Sequence, residues 1–216
     1  RTLSNIGLVY YYLSDYHQAL DYHRQSLALN ESLGRRDGIA GNLGNIGIVY
    51  DCLQEYEQAL EFYQQSLTIA KELGRKNSIA STLGNIGIVY TNILDYPQAL
   101  EYTLQALAIN EELGRKEGIA NNLLTIGSVY KIKLFDGYTI EKAEEYLLQA
   151  IDVSQEIGAK QIAYECYREL SELYEQAGDA VKAFHHFKKY HAIEKEVQSE
   201  ETKKLAQRAA DRQQAL

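Results

Sequence analysis

The eight residues Leu43–Tyr50 read LGNIGIVY, and the same eight letters return at Leu83–Tyr90. The recurrence runs well beyond this octet. Gly7, Gly47, Gly87 and Gly127 stand forty residues apart, as do Tyr10, Tyr50, Tyr90 and Tyr130, and also Ala19, Ala59 and Ala99. A fixed period of this length specifies a repeat array, in which each unit packs only on its neighbours instead of closing on one central core.

One period predicts two helices. Ile39, Leu43, Ile46, Val49, Tyr50 and Leu53 recur at helical spacing and define an amphipathic helix A. A turn follows near Gln54 and Glu55, and Tyr56, Ala59, Leu60, Tyr63, Leu67 and Ile69 define helix B. Gly74 ends helix B, as Gly34, Gly114 and Gly158 end its counterparts, at the place of a left-handed C-cap. Pro occurs once, at Pro97, so long helices are not interrupted. Gly47 falls mid-helix beside the apolar face, where glycine costs about 1 kcal/mol relative to alanine. Its recurrence predicts a close helix crossing, with Ala59 as the matching small residue on helix B. The 18 tyrosines suit half-wet seams between helices, since each has an apolar body and a polar tip.

This pattern resembles the tetratricopeptide repeat. The family's first position is Leu here (Leu3, Leu43, Leu83, Leu123) and Tyr167 in the last repeat. The next pair reads Ile6-Gly7, Ile46-Gly47, Ile86-Gly87 and Ile126-Gly127, with Ser171 in the fifth Gly place. Tyr10, Tyr50, Tyr90, Tyr130 and Tyr174 follow, then Ala19, Ala59, Ala99, Ala143 and Ala183. The family's Phe position varies: His23, Tyr63, Thr103, Leu147, Phe187. The forty-residue period is similar to the long-repeat branch of kinesin light chains and Gly-Leu-Asn-rich G-protein-signalling modulators. The resemblance implies an all-α, right-handed α-solenoid of antiparallel helix pairs. The expected repeats are 1–34 (helix A truncated), 36–74, 76–114, 116–158 with a longer A–B loop near 135–138, and 160–197, followed by a charged helix or linker at 198–216.

Composition narrows the function. The net charge of -8 argues against nucleic acid and against an anionic membrane surface. No run of apolar residues is long enough to span a bilayer. Cys52 and Cys166 lack metal-ligand spacing and read as free thiols of a cytoplasmic protein. Phosphate-loop, HExxH and GxSxG motifs are absent, and the pair His185-His186 has no catalytic company, so no catalysis, cofactor or metal is expected.

With Leu43, Ile46 and Tyr50 facing helix B, the opposite strip of helix A holds Gly41, Asn45, Ile48 and Cys52. Later repeats put Ser81, Asn85, Ile88 and Asn92 there, then Asn121, Thr125, Ser128 and Ile132, while the first offers Asn5, Leu8 and Tyr12. The resemblance implies that this strip lines a concave groove and that a ladder such as Asn5, Asn45 and Asn85 holds a partner peptide. A carboxamide both donates and accepts, so it serves a peptide backbone of any sequence. The solvated alternative is that Asn copies with the repeat or bonds the neighbouring helix. The strip has little charge, which argues against a carboxylate clamp. The pairs Arg35-Arg36, Arg75-Lys76 and Arg115-Lys116 between repeats read as a solvated row, or as steering for an acidic partner. The expected role is a non-catalytic scaffold that binds a protein or peptide partner. Two alternatives stand beside it: a sensor module of a bacterial signalling protein carrying a kinase or cyclase, and self-association through an exposed terminal repeat.

Overall fold

The computed structural model describes residues 2–196, so the charged segment expected at 198–216 lies outside the described residues. All regular structure within them is helical. The helices pair in chain order: α1 (Thr2–Tyr12) with α2 (Tyr16–Ser32), α3 (Arg36–Cys52) with α4 (Tyr56–Glu72), and α5 (Lys76–Asn92) with α6 (Tyr96–Glu112). Then come α7 (Lys116–Tyr130) with α8 (Ile140–Glu156), and α9 (Lys160–Ala177) with α10 (180–196). This is the expected all-α array of antiparallel helix pairs. The chain divides into two compact units that part after Gly118.

Helix ends follow one rule at both turns of each pair. After α4, the Gly74 amide donates to the Lys71 carbonyl and the Arg75 amide to the Ala70 carbonyl, with Gly74 at φ 63°. This is the Schellman arrangement, and the left-handed glycine suits it because no Cβ is present to clash. The A-to-B turns of the first three pairs use the same geometry without glycine, whereas the fifth uses Gly178 at φ 79°. Ser14, Gln54 and Leu94 take φ of 59°, 60° and 66°. An L-residue there is disfavoured by about 1–2 kcal/mol, so these three turns hold a strained backbone without the glycine that would announce it in the sequence. The next residue compensates in two cases: the Asp15 and Asp95 carboxylates accept the Gln18 and Gln98 amides at 3.2 Å. In the fourth pair the connection lengthens to residues 131–139, and the Thr139 hydroxyl caps α8 by accepting the Lys142 amide at 3.0 Å.

The recurring glycine sets the approach of helix A to helix B. A Cβ on Gly47 would stand 2.7 Å from the Tyr63 ring, one on Gly7 2.7 Å from His23, and one on Gly127 2.7 Å from Leu147. On Gly87 it would strike the Thr103 hydroxyl. The direct partner of the glycine is thus the variable Phe-position residue, not Ala59 as the sequence suggests. Ala59 is fully buried. In the fifth pair Ser171 replaces the glycine, and its hydroxyl donates to the Ala183 carbonyl at 3.1 Å.

A second contact repeats beside the first. Tyr10 stacks on Tyr22, Tyr50 on Phe62, Tyr90 on Tyr102 and Tyr130 on Tyr146, with ring centroids 5.3–5.8 Å apart. Each such pair contributes about 0.5–1.5 kcal/mol beyond its buried area. In the fifth pair Tyr174 stacks on His186 at 5.7 Å.

Two predictions follow from these contacts. Gly47→Ala should lower stability by about 1–3 kcal/mol through overpacking on Tyr63. Gly41→Ala, on the same helix but with nothing within 4 Å of the new Cβ, should raise it by up to about 1 kcal/mol. Urea unfolding of both variants checks the pair. Burial, with His185 and Lys189 next in effect, lowers the His186 imidazole to about 4 from its ordinary 6.5. The unfolded chain then takes up a proton below 6.5 that the fold refuses, so stability falls as pH drops from 6.5 towards 4. Melting curves across that window should show the fall reduced in His186→Phe. An unchanged slope would contradict a buried neutral ring.

Candidate functional site

In the first unit, A helices α1, α3 and α5 lie side by side, joined by side chains forty-one residues apart. Asn45 Nδ2 donates to Ser4 Oγ at 3.4 Å, the Cys52 thiol to Tyr11 Oη at 3.7 Å, and Asn92 Nδ2 to Asp51 Oδ1 at 3.3 Å. Burial raises the Asp51 carboxyl above its ordinary range, and the Asn92 bond opposes that shift.

Two adjoining clefts open along these helices. One of about 770 Å³ is lined by Ser4, Asn30, Arg35, Asp37, Asn42 and Asn45, among others. The next, about 250 Å³, is lined by Asn45, Ile48, Gly44, Ser81 and Asn85 with further small residues. Gly41 and Asn45 belong to both, so the clefts form one trough. The strip positions Gly41, Asn45, Ile48, Ser81 and Asn85 therefore come together on its walls. Asn45 and Asn85 are half-buried. Asn5 is exposed and Leu8 half-buried on α1, outside both clefts. Tyr12 is 80% exposed at the end of α1, edge-on to Tyr11. Ile88 is 40% exposed on α5, and Asn92 is exposed but engaged by Asp51. Asn121 and Thr125 fall in the second unit, where the Thr125 hydroxyl donates to the Asn121 carbonyl at 3.1 Å.

The basic pairs stay exposed near helix ends, as a solvated row would, but Arg36, Arg75 and Lys76 also have acidic partners. Arg36, at the start of α3, pairs with Glu72 at the end of α4, and Lys76 with Glu112 likewise. An antiparallel pair puts the first turn of A beside the last turn of B, which brings these charges together. Exposed pairs of this kind contribute about 0–1 kcal/mol each. Arg75 Nε lies 3.2 Å from Asp37 Oδ1, and Arg115 Nη1 donates to the Asn77 carbonyl at 3.1 Å. Each arginine thus folds back over the first turn of the preceding helix A.

The expectation of low charge holds for the smaller cleft, but Arg35, Arg36 and Asp37 line the larger one, and the second unit is charged as well. There the Lys131 ammonium lies 2.6 Å from carboxylate oxygens of both Glu169 and Glu172. Arg168 joins Glu165 at 2.7 Å. The signal was present, since Glu165, Arg168, Glu169 and Glu172 recur at helical spacing in α9. Sequence reasoning also missed Asn30 and Asn77, because the trough takes residues from helix ends and from the preceding helix B, and Asn42, which is buried within α3. Among the described residues no cluster of three or more His, Cys, Asp or Glu is placed to hold a metal. No helix among them is long and apolar enough to cross a membrane.

Residues 1–72 match the tetratricopeptide repeat family. No curated protein matches the sequence. Among solved structures, BtubC (BKLC) from P. vanneervenii superposes with a TM-score of 0.75 at 19% identity, over 91% of this chain and 80% of that one. PH0952 from Pyrococcus horikoshii, a signal transduction ATPase with numerous domains and a tetratricopeptide repeat sensor, gives 0.73 at 20% identity. The match covers 94% of this chain and 32% of PH0952. A Rap protein complexed with competence and sporulation factor gives 0.69 at 18% identity, over 91% and 64%. At such identities the likeness is one of fold. The sequence match to the tetratricopeptide repeat family thus covers residues 1–72, and over about nine-tenths of the chain the likeness to these solved structures is one of fold.

Proposed function

We propose that the chain is a non-catalytic interaction module whose α1–α3–α5 trough takes an extended peptide segment of a partner protein. The observation that carries this reading is the composition of the trough wall around Asn45 and Asn85. Its side chains are carboxamides, hydroxyls and glycines, with Ile48 at one edge. Such a wall bonds main-chain amides and leaves room for the peptide to approach, but offers no paired acid and base for catalysis. The likeness to a Rap protein solved with a bound factor supports the same reading. The two cysteines are free thiols, in keeping with a cytoplasmic location.

A sensor role within a larger signalling protein is the second reading, favoured by the likeness to PH0952 and its tetratricopeptide sensor. A kinase or cyclase sequence following Leu216 would support it, and a stop codon there would remove it.

The test of the first reading is selection of short random peptides displayed on phage. Wild type should retain clones that Asn45→Ala with Asn85→Ala binds at least about tenfold more weakly, as expected for losing two hydrogen bonds of about 0.5–1.5 kcal/mol each. Thermal stability should be nearly unchanged. Equal retention by the double variant would refute peptide binding in the trough.

A further inference from the structure

The B helices α2, α4 and α8 each have the following A helix packed against them. Leu20, Tyr63, Leu67, Leu147 and Ile151 stand on those three helices, and none is more than 7% exposed. α10 holds the B position of the fifth pair, in the second unit. By the repeat, Phe184 takes the place of Leu20, Phe187 that of Tyr63 and Leu147, and His191 that of Leu67 and Ile151. Phe184 is 59% exposed, Phe187 46%, and His191 is exposed as well. Val181, Lys188 and Lys195 flank them, since at about 100° per residue all six fall on one strip of the helix. The strip is apolar in its first half and basic in its second. Among the described residues Lys188 has the Phe184 ring, 5.1 Å away, and no carboxylate. The two glutamates of α10 are engaged elsewhere, Glu194 with His191 at 2.8 Å and Glu196 with Lys160 at 3.2 Å. Lys188 and Lys195 therefore give the strip a positive end, in a chain whose net charge is -8.

We propose that this strip of α10 docks an amphipathic helix of a partner protein, acidic in its N-terminal half and apolar in its C-terminal half. The occupant is a helix because the same places on α2, α4 and α8 are buried where an A helix packs on. Each of those A helices follows its B helix through a short turn, and so runs antiparallel to it. A partner helix seated in that way lays its second half over Phe184 and Phe187 and its first half over His191 and Lys195. Acidic residues belong in that first half on two counts. They meet Lys188 and Lys195, and they suit the positive end of their own helix dipole. Phe184 is the anchor, since large aromatic side chains carry much of the binding energy of an interface. The surface belongs to the second unit and is separate from the trough of the first.

The experiment uses the full chain and two labelled helical peptides as long as α3, which has 17 residues. One carries glutamates in its N-terminal half and leucines along one face of its C-terminal half. The other has lysine at each glutamate. By fluorescence anisotropy the glutamate peptide should bind at least about tenfold more tightly than the lysine peptide. Phe184→Ala should weaken it by about tenfold or more, as expected for an anchor. Lys188→Glu with Lys195→Glu should reverse the preference between the peptides. These side chains are exposed, so circular dichroism should report unchanged helix content. Asn45→Ala with Asn85→Ala should leave the affinity as it is. A benzophenone side chain replacing Phe184 should form adducts with the glutamate peptide. Adducts formed in the chain alone, to residues 197–216 or to a second copy, would overturn the assignment to a partner. Equal or absent binding of the two peptides, indifference to Phe184→Ala, or loss in the double asparagine variant would overturn it too, and none of these bears on phage selection by the trough.

Discussion

The structure depends on the approach of helix A to helix B at the recurring glycine. At Gly7, Gly47 and Gly127 a single added carbon would fall 2.7 Å from a buried side chain of the facing helix, well inside contact distance. That approach lets the tyrosine three residues on lie flat against an aromatic ring of helix B. The two contacts together fix the rotation of helix A about its own axis. Once the face bearing Ile46 and Gly47 is turned inward, the strip bearing Gly41, Asn45 and Ile48 is turned towards the neighbouring A helices. The trough is thus a consequence of packing on the other side of the same helix.

Much of the fold was legible because its causes are local. Apolar spacing gives the helices, and Gly34, Gly74, Gly114 and Gly158 mark the ends of the B helices through a left-handed backbone that other residues resist. The A-to-B turns were harder to read, since Ser14, Gln54 and Leu94 adopt the same backbone without the residue that announces it. The partner of Gly47 could not be read from spacing alone. Tyr63 and Ala59 lie one turn apart on α4, and only the crossing geometry selects Tyr63. The strip of Asn45 and Asn85 follows from helical rotation, so it was visible in advance. What lay across from each asparagine was not, because that depends on the offset between neighbouring helices. The offset of forty-one, instead of the period of forty, puts serine before Asn45 and glycine before Asn85.

Charge is distributed by the same geometry. Arg36 with Glu72, and Lys76 with Glu112, sit at the open ends of their helix pairs, where antiparallel packing brings the first turn of A beside the last turn of B. Each charge alone opposes its helix dipole, and the pairing offsets that. The cleft around Asn45 and Asn85 is left to neutral groups, while Arg35, Arg36 and Asp37 line the larger cleft beside it. The second unit departs from this plan, with Lys131 held between Glu169 and Glu172 on α7's exit and α9. A near-repeat in sequence therefore yields two chemically different stretches of A-helix surface.

The most direct measurement of where a partner sits is photo-crosslinking of a retained peptide from single benzophenone side chains. One would replace Ile88 on α5, beside the trough. The other would replace Gln105, exposed on α6 and absent from the trough wall. Adducts from position 88 and none from position 105 are expected. Adducts from position 105 alone would put the partner on the B helices and contradict the trough as the binding surface.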